Sequence, residues 1–181
     1  MERWLQEPLW ETQVRTLFDA FRALLYVTGF VFLWGWMALG VSKYNLSLGI
    51  VLPLWTKQLG ISFMLIGGVL ALLCAGTFVL RGRGTPAPFD APQQFVAVGP
   101  YRYVRNPMYT GAWVMLNGFG LYLHSLSVLL MALAALLLAH LFVVVFEEPT
   151  LREKFGARYE DYCNSVSRWV PRVVRPKGNR R

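Results

Sequence analysis

Long apolar runs separated by short polar segments form the dominant pattern along this chain. Residues 23–41, 59–80 and 107–146 reach or exceed the length of apolar sequence, roughly 20 residues, that a helix needs to cross the ~30 Å hydrocarbon layer of a membrane. The third run is too long for one crossing, and the polar residues His124, Ser125 and Ser127 interrupt it near its middle. We therefore predict that it forms a helical hairpin of two spans, 107–123 and 126–146.

This pattern predicts an all-α, multi-pass membrane helix bundle of about four spans, with residues 1–181 in one domain. The apolar stretch 46–55 is short and contains Gly49 and Pro53, so we expect an interfacial or re-entrant segment there, or a short fifth helix, rather than a full span. No signal peptide is expected in residues 1–22, because acidic residues precede the first span: Glu2, Glu7, Glu11 and Asp19.

Composition supports a membrane protein, because 55% of the residues are hydrophobic and only 15% are charged. The net charge is +8, and with four spans every Lys and Arg except Lys43 and Lys57 falls on one side. The positive-inside rule places that side, with both termini and the N-terminal segment 1–22, in the cytoplasm. The host membrane would be the inner membrane of a bacterium or the endoplasmic reticulum of a eukaryote.

The tail, residues 149–181, is predicted to begin with an amphipathic helix, because Leu151, Phe155, Tyr159 and Tyr162 fall on one stripe. Its basic end from Arg168 onward is interpreted as a topology signal that attracts anionic lipid head groups. A nucleic-acid site is not predicted, because no base-stacking or groove-reading motif accompanies the charge.

Metal chemistry and a disulfide are not expected. No His/Cys cluster has the spacing of zinc ligands, and Cys74 lies in a span whereas Cys163 lies in the tail. A strand followed by a Gly-rich turn and a helix is also missing, which excludes the soluble dinucleotide type of cofactor site. Any cofactor must therefore be bound by helices and by loop 81–106, whose many Pro and Gly residues suit a packed binding loop.

Two polar clusters border the hairpin, one over residues 99–111 and the other at residues 147–149. Because the two hairpin helices run antiparallel, Tyr109 is expected at the depth of His140, and Arg102 at the depth of Glu147. The hairpin therefore brings both clusters to one membrane surface. Two readings of the pair Glu147 and Glu148 stay open: it ends the span and pairs with arginines, or it belongs to a reaction site.

The first hairpin helix is predicted to begin at Pro107, with Asn106 as its N-cap. One face of this helix is more polar than its surroundings and must point into the bundle or toward a water-filled cavity. Its residues are Asn106, Tyr109, Thr110, Trp113, Asn117 and Gly120. On the second helix His140 shares a face with the two glutamates, where it is either a packing residue or a functional one.

The two clusters carry a resemblance to a known family. The run Gly99-Pro100-Tyr101-Arg102-Tyr103-Val104-Arg105-Asn106-Pro107-Met108-Tyr109-Thr110-Gly111 resembles a signature of integral-membrane methyltransferases, which include isoprenylcysteine carboxyl methyltransferase and phosphatidylethanolamine N-methyltransferase. Glu147-Glu148, Leu151, Phe155-Gly156, Tyr159, Tyr162 and Val170-Pro171-Arg172 resemble the C-terminal signature of that family. Asn106 stands where the prenylcysteine enzyme usually has histidine, whereas residues 106–109 with 147–149 are similar to the phospholipid enzyme.

The resemblance implies S-adenosylmethionine as cofactor, bound from the cytoplasm, and a lipid or lipid-like acceptor that enters between helices. The acceptor would be a phospholipid amine or a prenylcysteine-type carboxylate. The residues that would bind the cofactor are Gly99, Pro100, Tyr101, Arg102, Tyr103, Pro107, Tyr109, His140, Glu147 and Glu148. The residues that would act in catalysis are Arg105, Asn106, Tyr109 and Glu148.

The catalytic base and the class of function both stay open at the level of sequence. For an amine acceptor, the base that removes its proton would be Glu148, Glu147 or His140, whereas a carboxylate acceptor needs no base. Two other functions are compatible with the same hydropathy: a nicotinamide-dependent sterol or isoprenoid-type membrane reductase, and a non-catalytic lipid-binding protein.

Overall fold

The computed structural model describes residues 9–50, 52–82 and 95–171 of the chain. These residues are arranged as helices and their connections, and they contain no strand, in agreement with the predicted all-α class. Residues 1–8, residues 83–94 of the predicted binding loop, and residues 172–181 of the basic tail lie outside the described part.

Seven α-helices and three other helical turns make up the described chain. The α-helices are α1 (Leu9–Ser42), α2 (Asn45–Leu48), α3 (Thr56–Thr77), α4 (Pro107–Tyr122), α5 (Leu126–Phe142), α6 (Glu148–Phe155) and α7 (Ala157–Ser165). A π-helical turn, Phe78–Gly82, extends α3, and a second one, Val143–Glu147, joins α5 to α6. A 3₁₀ turn, Gly99–Arg102, precedes α4.

Three helices of the described residues are long and apolar enough to cross a membrane: Thr16–Ser42, Thr56–Arg81 and Leu126–Phe155. The protein is therefore an integral membrane protein. Helix α4 has 16 residues, about 24 Å at 1.5 Å per residue, which is short against a ~30 Å layer. The count of four spans stays a prediction.

Helices α4 and α5 form the helical hairpin that the sequence predicts, with a turn at Leu123–Ser125. His124 has a positive φ of 51° in this turn. The Ser125 hydroxyl caps α5 by accepting a hydrogen bond from Val128 N at 3.4 Å. The polar interruption in the apolar run is thus the point at which the chain reverses.

The segment before α3 is attached to this turn. Asn45 Oδ1 accepts a hydrogen bond from Leu126 N at 2.8 Å, and Asn45 Nδ2 donates to His124 O at 3.2 Å. The Thr56 hydroxyl lies 3.1 Å from His124 Nδ1. Of the described residues in 46–55, only those of the single-turn helix α2 are helical, so this stretch contributes no spanning helix.

Helices α3 and α4 approach closely because glycines face each other across their interface. A Cβ on Gly60 would lie 2.5 Å from Gly118 O, and a Cβ on Gly67 would collide with Gly111 O and lie 2.6 Å from Met115 N. The glycines recur at a spacing of seven residues on both antiparallel helices. Such small-residue interfaces let helix backbones pack against each other within a membrane.

The substitution Gly67→Ala is expected to lower the free energy of unfolding by about 1–3 kcal/mol, because its methyl group overlaps backbone atoms that cannot move aside easily. The neighbouring Gly68→Ala variant is the matched control, since a Cβ on Gly68 meets no atom within 4 Å. Thermal unfolding in detergent compares the two variants. Equal melting temperatures would contradict this close packing.

The tail differs from the single amphipathic helix that the sequence predicts. Gly156 has a φ of +53°, a conformation that favours glycine, and the chain turns there between α6 and α7. After α7, residues 166–169, here called the return segment, run back beside the start of α4. Arg105 N donates to Ser167 O at 2.8 Å, and Asn106 N donates to Arg168 O at 3.2 Å.

Candidate functional site

The predicted site residues gather at the end of the bundle opposite the hairpin turn. Both π-helical turns lie at this end, and each contributes to the wall of one small cavity through Phe78, Val143 and Glu147. Because π-helical turns carry an extra residue, they change the direction in which the following side chains point, and they are frequent at functional sites. At this end of the bundle, two helices therefore depart from regular α-helical geometry.

The small cavity, called the polar cavity below, has a volume of about 80 Å³. Arg105 and the two glutamates give it its charge, and aromatic side chains form most of the remaining wall: Phe78, Phe95, Tyr101, Phe155, Tyr159 and Tyr162. Phe95 lies within 5.1 to 6.0 Å of the rings of Phe155, Tyr159 and Tyr162. The first residue after loop residues 83–94 is thus packed against the tail.

Glu148 is the buried centre of an ion cluster. Its Oε1 accepts from Arg168 Nε at 2.7 Å and pairs with Arg105 Nη1 at 3.1 Å, while its Oε2 accepts from Arg168 Nη2 at 3.0 Å. Arg152 approaches Oε2 at 3.8 Å from a more exposed position. The Glu148 side chain is only 4% exposed, and these hydrogen bonds raise the pKa of Arg168. Both carboxylate oxygens are therefore committed to arginines.

Glu147 is placed differently from its neighbour. Its Oε2 accepts a hydrogen bond from the Tyr109 hydroxyl at 3.0 Å, and among the described residues no lysine or arginine lies within ion-pair distance of it. The Glu147 carboxylate is half-buried and is held by a hydroxyl group rather than by a cation. The two adjacent glutamates therefore have separate environments.

A second, larger cavity of about 560 Å³ lies between α1, α4 and α5. We call it the apolar cavity below. Its wall is almost entirely hydrocarbon and aromatic, and it includes Trp34, Trp113, Phe119 and Phe142. Of the predicted polar face of α4, Tyr109 and Trp113 line this apolar cavity. Asn117 donates to Trp113 O at 2.8 Å within α4, so its amide is satisfied locally.

Tyr109 connects the two cavities. Its side chain lines the apolar cavity, and its hydroxyl donates to Glu147, which lines the polar cavity. A group held at the Tyr109 end of the apolar cavity would therefore lie beside a phenol and a carboxylate.

The return segment adds two residues that the sequence analysis did not assign to the site. Arg168 binds Glu148, and Trp169 Nε1 donates to His140 Nδ1 at 3.1 Å. The Trp169 ring also stands edge-on to Tyr109, with the ring centroids 6.4 Å apart. The signal available in the sequence was the polar and aromatic pair Arg168-Trp169 directly before the Val170-Pro171 motif.

Tyr101 joins the 3₁₀ turn to the tail. The Tyr162 hydroxyl donates to Tyr101 O at 2.6 Å, and the Tyr101 ring packs edge-on against Phe78. Burial raises the pKa of both tyrosines well above the usual value, so both remain neutral phenols in the physiological range. Gly99 has a φ of +59° and lies against Thr77, which fixes the turn on α3.

Some predicted site residues lie away from the two cavities. Arg102 and Tyr103 are exposed, and neither of the two glutamates pairs with Arg102 in the described chain. Asn106, in contrast, lines the polar cavity and precedes α4 as predicted, but its side chain makes no cap and donates to Arg168 O at 3.4 Å. Pro107 is buried at the start of α4. The described residues contain no group of His, Cys, Asp or Glu that could hold a metal ion.

One comparison with known proteins gives a match. A family model described as Phospholipid methyltransferase matches residues 55–158, which include α3, the hairpin and both glutamates. No curated protein matches the chain. Helix α1 and the return segment lie outside the matched residues.

Proposed function

Because the chain belongs to the phospholipid methyltransferase family and is thus a membrane methyltransferase, we propose that it transfers a methyl group from S-adenosylmethionine to a membrane lipid at the cytoplasmic face. The observation that carries this proposal is the Tyr109–Glu147 hydrogen bond, which lies where the apolar and polar cavities meet. A lipid tail on one side and a water-soluble co-substrate on the other would place their reacting groups beside this pair.

The acceptor lipid would lie in the apolar cavity. A volume of about 560 Å³ falls within the roughly 300–1,000 Å³ of pockets that enclose a small-molecule ligand. Its wall contains no charged side chain, so a charged head group would remain at the Tyr109 end.

The cofactor would lie in the polar cavity, and the chemistry of the wall suits it. The aromatic rings of Phe78, Phe95 and Tyr101 would contact its adenine, and Arg105, whose Nε is buried and finds no partner among the described residues, would face its carboxylate. The present volume of about 80 Å³ takes only part of such a molecule, so binding requires this cavity to widen. When bound, the cofactor supplies an electrophilic methyl group.

Glu147 favours an amine acceptor over a carboxylate. A carboxylate acceptor beside Glu147 would meet an unpaired like charge, whereas an ammonium group would be attracted to it. Before an ammonium can act as a nucleophile it must lose a proton, and Glu147, directly or through the Tyr109 hydroxyl, would accept that proton. Glu148 would position Arg105 and Arg168 rather than take part in proton transfer.

Rate acceleration would come chiefly from positioning. The pair of cavities holds two reactants in fixed directions and keeps water from the reacting atoms, and such pre-organisation can contribute as much as ~7–11 kcal/mol. The exposed side chain of Arg102 would attract anionic lipid head groups beside the site.

A thermal-shift assay with purified protein tests the cofactor. S-adenosylmethionine and its demethylated product are expected to raise the melting temperature, because a ligand that binds the folded state stabilises it by about 2.7 kcal/mol at 100 times its Kd. NADPH under the same conditions is expected to have no effect. Stabilisation by NADPH alone would identify a reductase, and stabilisation by neither would contradict a cofactor-dependent enzyme.

A further inference from the structure

Helix α1 forms one wall of the apolar cavity, although it lies outside the residues that match the family. Phe30, Val31, Trp34 and Gly35 of α1 face the cavity, opposite side chains of α4 and α5. Trp34 packs with Trp113 in one apolar cluster. The shape of the cavity therefore depends on a helix that the matched family region does not contain.

The depth of the cavity corresponds to one leaflet of a bilayer. Its wall on α4 extends from Tyr109 to Phe119, about 15 Å at 1.5 Å per residue. Half of the ~30 Å hydrocarbon layer is the same distance. A hydrocarbon chain that fills one leaflet, with its head group beside Tyr109, would thus end near Phe119.

Gly35 leaves open space in this wall. A Cβ at Gly35 would meet no atom within 4 Å, although the residue lines the cavity. Ala38, which follows Gly35 by three residues on α1, belongs to one buried cluster with Leu116, two helical turns along α4 from Tyr109. Gly35 therefore lies in the deeper part of the cavity. A side chain added at this position would therefore begin in open space.

We infer that α1 sets the length of the hydrocarbon chain that this protein accepts, with Gly35 providing the room for the distal end of the chain. This inference rests on the proposed function, in which the apolar cavity holds the acceptor. It assigns a specificity role to Gly35, not a catalytic one, because the residue is remote from Tyr109 and Glu147.

The test measures the affinity of n-alkylamines of increasing chain length for the purified protein by titration calorimetry, without cofactor. In the wild type the affinity is expected to rise about fourfold per added CH₂, until the chain fills the cavity, and then to level off. In Gly35→Leu the levelling is expected several carbons earlier, with the affinity for short chains within about twofold of the wild type.

Matched controls are Gly29→Leu and Gly40→Leu, because both glycines lie on α1, meet no atom within 4 Å and do not line the cavity. Both should keep the wild-type length profile. The milder Gly35→Ala should shift the profile in the same direction by less, and it replaces Gly35→Leu if that variant does not fold.

Identical profiles for all variants, or an equal loss at every chain length, would overturn the inference. The proposed function fails by a separate result, namely the absence of cofactor binding and methyl transfer in the wild type. Because the alkylamine profile is measured without cofactor, the two failures are distinguishable.

Discussion

Replacing Glu147 by glutamine is expected to lower the rate of methyl transfer to an amine lipid by roughly 10²- to 10⁴-fold, the usual contribution of a positioned acid or base. Glutamine keeps the size of the side chain and an oxygen that can accept the Tyr109 hydrogen bond, so the junction between the cavities should keep its shape. What is lost is the negative charge and the ability to accept a proton. Initial rates with labelled cofactor measure the effect.

The stability of Glu147→Gln should stay close to that of the wild type, because no cation among the described residues depends on Glu147. Tyr109→Phe is the companion variant, and a smaller loss of rate is expected from it if Glu147 accepts the proton directly. A Glu147→Gln protein with wild-type kcat would show that Glu147 is not the base.

Replacing Glu148 by glutamine is expected to act on stability, lowering the free energy of unfolding by about 3–5 kcal/mol, the usual cost of leaving buried charges without their partner. Arg105 and Arg168 both lie within 3.1 Å of this carboxylate, and the side chain of Arg105 is only 12% exposed. Their like charges would repel each other without Glu148. The return segment should then detach from the start of α4, which thermal unfolding and limited proteolysis would detect.

Arg152→Gln is the matched control for this cluster. Arg152 approaches Glu148 at 3.8 Å with its side chain 45% exposed, and exposed ion pairs contribute at most about 1 kcal/mol. Its loss should therefore leave stability nearly unchanged. Equal destabilisation by Arg152→Gln and Glu148→Gln would contradict the central place of Glu148 in the cluster.

The sequence predicted the parts of the fold that depend on long periodic patterns. The interruption at His124 and Ser125 located the hairpin turn, and the dipeptide Asn106-Pro107 located the start of α4. Antiparallel pairing in the hairpin placed Tyr109 at the depth of His140 and Arg102 at the depth of Glu147. In the structure it is Tyr109, in the first turn of α4, that contacts Glu147. These inferences need only element lengths and helix geometry.

The different environments of Glu147 and Glu148 were beyond prediction from the sequence. The two residues are identical and adjacent, and their separation depends on the π-helical turn at Val143–Glu147, which no simple periodicity indicates. It also depends on Arg168 of the return segment, which has no helical or strand periodicity. The break at Gly156 could have been suspected, because glycine is the residue that most readily adopts a positive φ.

Transfer of the labelled methyl group of S-adenosylmethionine into the lipid fraction tests the central claim most directly. Purified wild-type protein in vesicles containing phosphatidylethanolamine is expected to move the label into the organic phase in proportion to time and enzyme, and the Glu147→Gln protein is expected to do so at a rate lower by at least roughly a hundredfold. If folded wild-type protein moves no label into these vesicles or into vesicles made from a total lipid extract, the protein does not methylate lipids, which would contradict the proposed function.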